Sequence, residues 1–285
     1  MRVERHQDAN SFLAQAGGFL GAREAEHNLI LGLSGRLRTD PRTYGEDPYF
    51  AVALDGERVV AVTMRTPPHN LILSEVDDDQ ALGPLADDAR DAFGSLPGIG
   101  GPRAAVERFV PLWQERTGAS ARVVMRLRIY RAEHVDRPAA IPGAMRPYEE
   151  RDRELAIAWM DAFVDESMAE PPPETSEEWL ERRKADPDSG IAMWEVDGTV
   201  VSMGGYGGPT PNGARIGPIY TPPDQRRRGY GSALTADLTQ LQLDRGRRFC
   251  FLYTDLANPT SNSIYQRIGY RPVSDSDQWA FEQER

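Results

Sequence analysis

The sequence predicts an α/β chain in which one order of strands and helices occurs twice. Three observations carry that expectation. Apolar residues switch repeatedly between period-two and helical spacing along the 285 residues. Each half holds an Asp-Gly pair between two strand-like runs, Asp55-Gly56 and Asp197-Gly198, a strong short-range hairpin signal. Between the halves, Arg131 to Pro142 loses periodicity and gathers Pro138, Ala139, Ala140 and Pro142. The predicted division is a first domain at 1–131, a linker at 132–142 that could also lie packed across both halves, and a second domain at 143–285.

In the first half, Ser11–Gly17 and Glu24–Leu37 carry helical spacing, with Leu29, Ile30 and Leu33 on one face. Tyr49–Leu54 and Arg58–Met64 read as strands around the first Asp-Gly turn, and Asn70–Leu73 as a short third strand. Asp77–Phe93 and Pro102–Thr117 read as helices, the latter burying Val106, Phe109, Val110 and Trp113; Ala121–Tyr130 alternates as a strand. In the second half, Met145–Tyr148 is a strand and Arg151–Val164 a helix facing inward with Leu155, Trp159 and Phe163. Pro171–Pro173 interrupts the chain. Thr175, with Glu178 three residues on, forms a capping box for the helix holding Trp179. Ile191–Val196 and Thr199–Met203 are strands around the second Asp-Gly turn. Next come a strand at Arg215–Thr221, a helix at Tyr230–Leu243, a strand at Arg248–Thr254 and a helix at Asn258–Ile268. Tyr270–Val273 and Gln278–Phe281 close the chain as strands.

Composition removes several classes of function. A single cysteine, Cys250, excludes an intramolecular disulfide framework and a thiolate metal cluster. His6, His27, His69 and His134 show no ligand spacing, so no metal is expected. No apolar run approaches the ~18 residues of a membrane span, and Met1–Phe12 lacks the apolar core of a signal peptide; a cytoplasmic protein without membrane partners is the expectation. A net charge of −11 disfavours a broad nucleic-acid surface. Lys184 is the only lysine, so a Schiff base could come from no other residue.

The chemistry concentrates in Ile216–Thr235, which passes from a strand through an Arg/Gly turn into a helix. Gly229 and Gly231 admit a ligand close to the backbone where a Cβ would intrude. Helix-start amides lack intrahelical acceptors and, with the dipole, form an anion seat. Arg226, Arg227 and Arg228 crowd cations at that positive helix end, a conflict that a bound anion relieves. A P-loop would need a lysine after the last glycine, where Ser232-Ala233 stands; a dinucleotide fingerprint would need a third glycine, where Leu234 stands. A kinase glycine loop would need a following strand lysine, which is absent. The pattern left is R-x-x-G-x-G, Arg226–Gly231, after Tyr220-Thr221-Pro222-Pro223.

With the second signature Leu252-Tyr-Thr-Asp-Leu-Ala-Asn-Pro-Thr-Ser-Asn-Ser-Ile-Tyr-Gln-Arg-Ile-Gly-Tyr270, the segment resembles the GNAT superfamily of acetyl-CoA-dependent N-acetyltransferases. The motifs cover Ile216–Tyr270, and element order extends the likeness to about 142–285. The first half has no R-x-x-G-x-G and would be a degenerate copy without a cofactor site. The resemblance implies two tandem domains, each a mostly antiparallel mixed sheet with flanking helices. It implies acetyl-CoA as co-substrate and a primary amine of a small molecule or peptide as acceptor. The alternatives are a non-catalytic acyl-CoA sensor or scaffold, and a transferase for a longer acyl chain.

The resemblance also assigns roles. The strand through Ile219, Tyr220 and Thr221 splays from its neighbour and pairs with the pantetheine arm. Amides of Arg227, Arg228, Gly229, Tyr230, Gly231 and Ser232 hold the pyrophosphate, with Arg226 or Arg228 in reach of a phosphate. Asn258 contacts the cofactor arm or caps the following helix, with Pro259 at its first position; Asn262 has the same pair of readings. Tyr265 matches the tyrosine that protonates the leaving thiolate. The strand Arg215–Thr221 has no carboxylate, which leaves Glu195 and Asp255 as weak general-base candidates. Asp161, Asp165, Glu166 and Glu170, in the loop expected between the first two helices, could attract a cationic acceptor. Cys250 reads as buried and inert.

Overall fold

The computed structural model describes residues 1–137, 140–167 and 174–282. In chain order the elements are β1 (Arg2–His6), α1 (Ala9–Ala22), α2 (Asn28–Thr39), β2 (Tyr49–Asp55), β3 (Arg58–Arg65), β4 (Leu71–Leu73), α3 (Leu82–Phe93), β5 (Gly98–Pro102), α4 (Arg103–Thr117) and β6 (Ser120–Ala132). They continue with β7 (Ala144–Pro147), α5 (Arg153–Ser167), α6 (Ser176–Ala185), β8 (Gly190–Val196), β9 (Thr199–Gly207), β10 (Gly213–Tyr220), α7 (Tyr230–Asp244), β11 (Phe249–Asp255), α8 (Pro259–Arg267) and β12 (Arg271–Glu282). The chain forms two compact units, Met1–Ile129 with Val273–Arg285, and Tyr130–Pro272. No described helix is long and apolar enough to cross a membrane.

In the first unit the strands run in the order β1-β2-β3-β4-β5-β12-β6. β2 shows why its sequence is a nearly unbroken apolar run: alternate residues go to opposite faces, and both faces are covered. Tyr49, Ala51 and Ala53 join a core with α3 and α4, while Phe50, Val52 and Leu54 join one with α1 and α2. Burying each large side chain contributes about 1.5–3 kcal/mol. The Asp55-Gly56 turn closes the β2–β3 hairpin, with Gly56 at φ +61. Only glycine adopts that backbone freely.

The structure corrects three expectations for the first half and its boundary. β5 is a strand that the sequence hides, because Gly98, Gly100 and Gly101 supply no apolar pattern. Gly98 lets β12 pair closely, since a Cβ there would lie 2.1 Å from the Trp279 carbonyl oxygen, and Gly101 lets β4 do so, since a Cβ there would lie 2.4 Å from the Leu73 carbonyl oxygen. The C-terminus also differs from its expected place. Val273 onward belongs with the first unit, where Trp279 and Phe281 pack on its core and Arg103 and Arg128 hold Asp275. The two expected closing strands are one strand, β12. The expected linker, finally, packs within the second unit. Trp194 Nε1 donates to the Pro142 carbonyl at 2.9 Å, Ile141 borders the second unit's core, and Asp136 N–H donates to Ile268. Pro138 and Ala139 lie outside the described residues, as do Glu170 and Pro171–Pro173.

In the second unit the order is β6-β11-β10-β9-β8-β7, with Tyr130–Ala132 supplying the end of β6. β8 repeats the logic of β2: Ala192 and Trp194 face α7, and Ile191 and Met193 face α5 and α6. The Asp197-Gly198 turn has positive φ at both residues, +49 and +78, as a two-residue hairpin with the native strand twist requires. The Thr175–Glu178 capping box is present with both of its bonds. Asp161, Asp165 and Glu166 lie within α5, not in a loop, because helical spacing continues to Ser167.

Candidate functional site

The site begins where β10 leaves β11. The two pair in parallel only from Gly213↔Phe249 to Arg215↔Phe251. Beyond that point β10 continues beside β9 alone, after a register shift between Ile216 and Ile219. Its edge toward β11 over Ile216–Tyr220 therefore finds no ladder partner among the described residues, and an extended ligand could add there as a strand. Ser202 anchors the end of this edge, donating to the Tyr220 carbonyl at 2.8 Å and bonding the Thr221 hydroxyl at 2.9 Å.

The turn into α7 presents a row of backbone amides that could seat an anion. Arg227 at φ +63 and Gly229 at φ +88 turn successive amides the same way. Gly229 is the N-cap and offers no side chain to the helix start. The first amide to find an acceptor is Ala233, bonded to Gly229 at 3.0 Å; those of residues 227–232 find none among the described residues. Cβ atoms would crowd this turn: on Gly229 one would lie 2.7 Å from Ile141 Cδ1, and on Gly231 one would lie 3.2 Å from Thr221 Oγ1. Such a row of donors at a positive helix end fits a pyrophosphate. Tyr230 points into the core, while Arg227 and Arg228 are exposed and make no ion pair among the described residues.

Arg226 behaves differently from its neighbours. Its Nε donates to the Thr221 carbonyl at 2.8 Å, and its Nη2 to Glu166 Oε2 at 2.6 Å. Glu166 also accepts from the Tyr220 hydroxyl at 3.2 Å. Arg226 thus braces the turn from the α5 side, and Arg227 and Arg228 are the cations left open to a phosphate. The same contacts occupy Glu166, the acid expected from the sequence to attract a cation.

Tyr265 in α8 packs at an angle to Tyr130 and edge-on to Tyr270, with ring centroids 6.5 and 6.1 Å away. Ile219, Tyr230 and Tyr265 border one apolar cluster, so the splayed strand, the cradle and this phenol share a neighbourhood. Desolvation pushes the Tyr265 phenol up to about 12, and its hydroxyl has no hydrogen-bond partner among the described residues. It is a protonated donor facing no competitor. Asn258 directly precedes α8, in the capping position, and its carbonyl accepts from Asn262. The Asn262 side chain is committed to structure: Tyr130 donates to its Oδ1 at 3.1 Å, and its Nδ2 donates to the carbonyls of Asp255 and Asn258.

Neither general-base candidate is free at the splay. Arg146 Nε donates to Glu195 at 2.6 Å while its two Nη atoms clasp Asp152. Glu195 also pairs across from Val200, beyond the Met203–Tyr220 pair and away from the bulge. Asp255 accepts from the Ala257 amide at 2.8 Å and shapes the turn before α8. Cys250 is buried, and desolvation pushes its thiol up to about 12, which keeps it inert. Sequence reasoning missed Ser202, and Arg183 of α6, which donates to the Tyr206 and Gly217 carbonyls. The glycine run Gly204-Gly205-Tyr206-Gly207-Gly208 was the available signal, since glycines in a strand mark close approach by another group.

A splayed parallel pair with a row of open amides at the next helix is the geometry that an acyltransferase of the GNAT fold would use. Residues 155–270 match the model of the acetyltransferase (GNAT) family. Solved structures agree on the fold across both units. A GCN5-related N-acetyltransferase from Sphaerobacter thermophilus superposes with a TM-score of 0.59 at 18% identity, covering 97% of this chain and 94% of that one. A tandem GNAT protein from the clavulanic acid biosynthesis pathway gives 0.57 at 14% identity over 100% of both chains. A GCN5-related N-acetyltransferase from Kribbella flavida gives 0.57 at 16% identity, covering 90% of this chain and 96% of that one. No curated protein matches the chain in sequence.

Proposed function

We propose that the protein moves an acetyl group from acetyl-CoA to a primary amine of a small molecule or peptide, by direct attack, at a single site in the second unit. The observation that carries this reading is the run of unacceptored amides at residues 227–232, directly after the strand that parts from β11. Amides of Arg227 to Ser232 would hold the pyrophosphate, and the free edge of Ile219–Thr221 would pair with the pantetheine arm. Acetyl-CoA brings the thioester.

The chain's own groups then divide the work. Free amides on the β10 edge polarise the carbonyl, as an oxyanion hole does. The incoming amine, with pKa near ~9–10, must first lose a proton. β10 carries no carboxylate, and Glu195 and Asp255 are engaged elsewhere, so water filling the open splay takes that proton. The amine nitrogen bonds to the carbonyl carbon and the carbon–sulfur bond breaks. Tyr265 donates its hydroxyl proton to the departing sulfur, and solvent restores it.

The test has two stages. Thermal shifts with CoA, acetyl-CoA and longer acyl-CoA esters report which ligand binds the folded state. An amine panel then measures turnover by thiol release. Acetyl-CoA stabilisation with amine-dependent thiol release supports the reading. Stabilisation with no turnover on any amine class would turn it toward a sensor.

A further inference from the structure

β10 departs from a regular ladder at one place. Its register against β9 shifts between Ile216 and Ile219, and Gly217 turns there at φ +132. An extra residue in one strand leaves backbone groups without ladder partners. Half-buried carbonyls left in that state are costly, so a partner that satisfies them stabilises the bulge.

Arg183, in the last turn of α6, does so. Its Nη1 donates to the Tyr206 carbonyl at 2.5 Å and its Nη2 to the Gly217 carbonyl at 2.9 Å. One planar guanidinium therefore ties β9 and β10 together across the shifted register. The side chain is held from its own helix as well, its guanidinium carbon 5.1 Å from the Trp179 ring centre. β9 is cut away to admit it. A Cβ on Gly205 would lie 2.8 Å from Arg183 Nη1, and one on Gly207 would lie 3.4 Å from the same atom. A lysine has no rigid fork and could not span both carbonyls in this way.

We infer that Arg183 is a positioning residue for acyl transfer: by holding the β10 bulge it sets the free strand edge that polarises the thioester carbonyl. The inference rests on the acetyl-transfer reading above. Arg183 acts through the backbone of Tyr206 and Gly217 and touches no reacting atom. Without it, the Gly217 carbonyl must find another partner, and the local geometry of the bulge must adjust to supply one. That change would shift the amides of the following residues. Displacing a reacting centre by about 1 Å can cost about 100-fold in rate. The pyrophosphate cradle lies beyond Ser202 and its two anchors on Tyr220 and Thr221, so cofactor affinity should be spared.

The test reads the carbonyl directly. The full chain is saturated with acetyl-CoA isotope-labelled at the thioester carbonyl, and the carbonyl stretch is followed by difference infrared spectroscopy. In the wild type the band should move to lower frequency on binding. In Arg183→Met the band should return toward the free-solution value, kcat should fall about 10–100-fold, and the Kd for CoA should stay within about threefold. Arg183→Lys should lie between. Gly205→Ala, which crowds Arg183 from the β9 side, should shift the band the same way without altering the arginine. A purely structural role would lower the melting temperature and leave the bound carbonyl band unmoved. A wild-type band in Arg183→Met would overturn the inference; should that variant not fold, a wild-type band in both Arg183→Lys and Gly205→Ala would overturn it equally. Failure of the wild type to bind acetyl-CoA or shift its carbonyl overturns the acetyl-transfer reading itself. A shift retained in every variant removes Arg183 alone.

Discussion

Gly229→Asp separates folding from ligand binding, because the two respond to it with opposite sign. Gly229 is the N-cap of α7, at φ +88. Aspartate tolerates the left-handed region better than most residues and is favourable at a helix N-terminus, by about 0.3–1 kcal/mol through the dipole. The new Cβ meets Ile141 Cδ1 at 2.7 Å, the mobile tip of a side chain that can rotate away. The folded protein should therefore keep its melting temperature to within a few degrees. Binding should not survive so well. A carboxylate about 5 Å from a phosphate charge is repelled by about 1 kcal/mol at the dielectric of water and about 3 kcal/mol at an effective value near 20. A pyrophosphate presents more than one such charge, so the expected loss is at least about 30-fold in affinity for CoA. Calorimetric titration at low and high salt measures it, with Gly229→Asn as the matched neutral variant. Asn carries the same bulk and the same tolerance of positive φ, so the difference between the two variants is charge alone. That difference should shrink as salt rises. Equal affinities for the Asp and Asn variants at low salt would refute the placement of the pyrophosphate at residues 227–232.

Three further outcomes are expected. Tyr265→Phe should lower kcat, by ~10²-fold or less since a thiolate leaves readily, while the Kd for acetyl-CoA stays unchanged; a wild-type kcat with chemistry rate-limiting would remove its catalytic role. Its phenol is raised to about 12, so the acid form persists to high pH, and the rate should show no loss from Tyr265 ionisation below about pH 11. Calorimetry should count one CoA per chain; a count of two would place a second site in the first unit. Gly98→Ala drives a Cβ to within 2.1 Å of the Trp279 carbonyl oxygen and should destabilise the first unit by at least about 2 kcal/mol in urea unfolding; a neutral result would show that β12 does not pair there as described.

Most elements were legible because their apolar residues keep one period. The hairpins at Asp55-Gly56 and Asp197-Gly198 and the Thr175 capping box are local chemistry and can be read residue by residue. β5 was hidden for the reason it exists: the glycines that admit its neighbours, Gly98 toward β12 and Gly101 toward β4, also erase the apolar signal. The destination of β12 was hidden because pairing with residues 98–102 is a contact across more than 170 positions, and no local pattern encodes a partner so distant. At the site, the turn with open amides at residues 227–232 was legible because glycines, arginines and a helix start lie consecutively. The roles of Arg226 and Glu195 were not. Each depends on a carboxylate or guanidinium from another element, Glu166 for one and Arg146 for the other. Arg183 was legible only indirectly, through the β9 glycines it packs against, since its acceptors are two backbone carbonyls on two other strands.

The two units also show how one arrangement of strands can carry a cradle or close it. In the first, β4 and β5 pair in parallel at Leu71↔Ile99 and Ile72↔Gly100, as β10 and β11 do in the second. The turns after β4 and β10 are opposite in charge. After β10 come three arginines and an N-cap glycine with no side chain, leaving the amides of residues 227–232 open. After β4 come Asp77, Asp78 and Asp79, and Asp78 is itself the N-cap of the 3-10 turn at Asp79–Ala81, accepting from the Gln80 amide at 2.9 Å. Arg23 pairs with Asp77 and Arg108 with Asp79. The first unit thus supplies its own anions to the turn before α3, and a phosphate arriving there would meet carboxylates already in place. Removing one carboxylate would not restore a cradle, because Gln80 and Ala81 stand where the second unit has Arg/Gly chemistry with positive φ. The single-site expectation rests on this contrast in capping, which holds although the flanking strands pair alike.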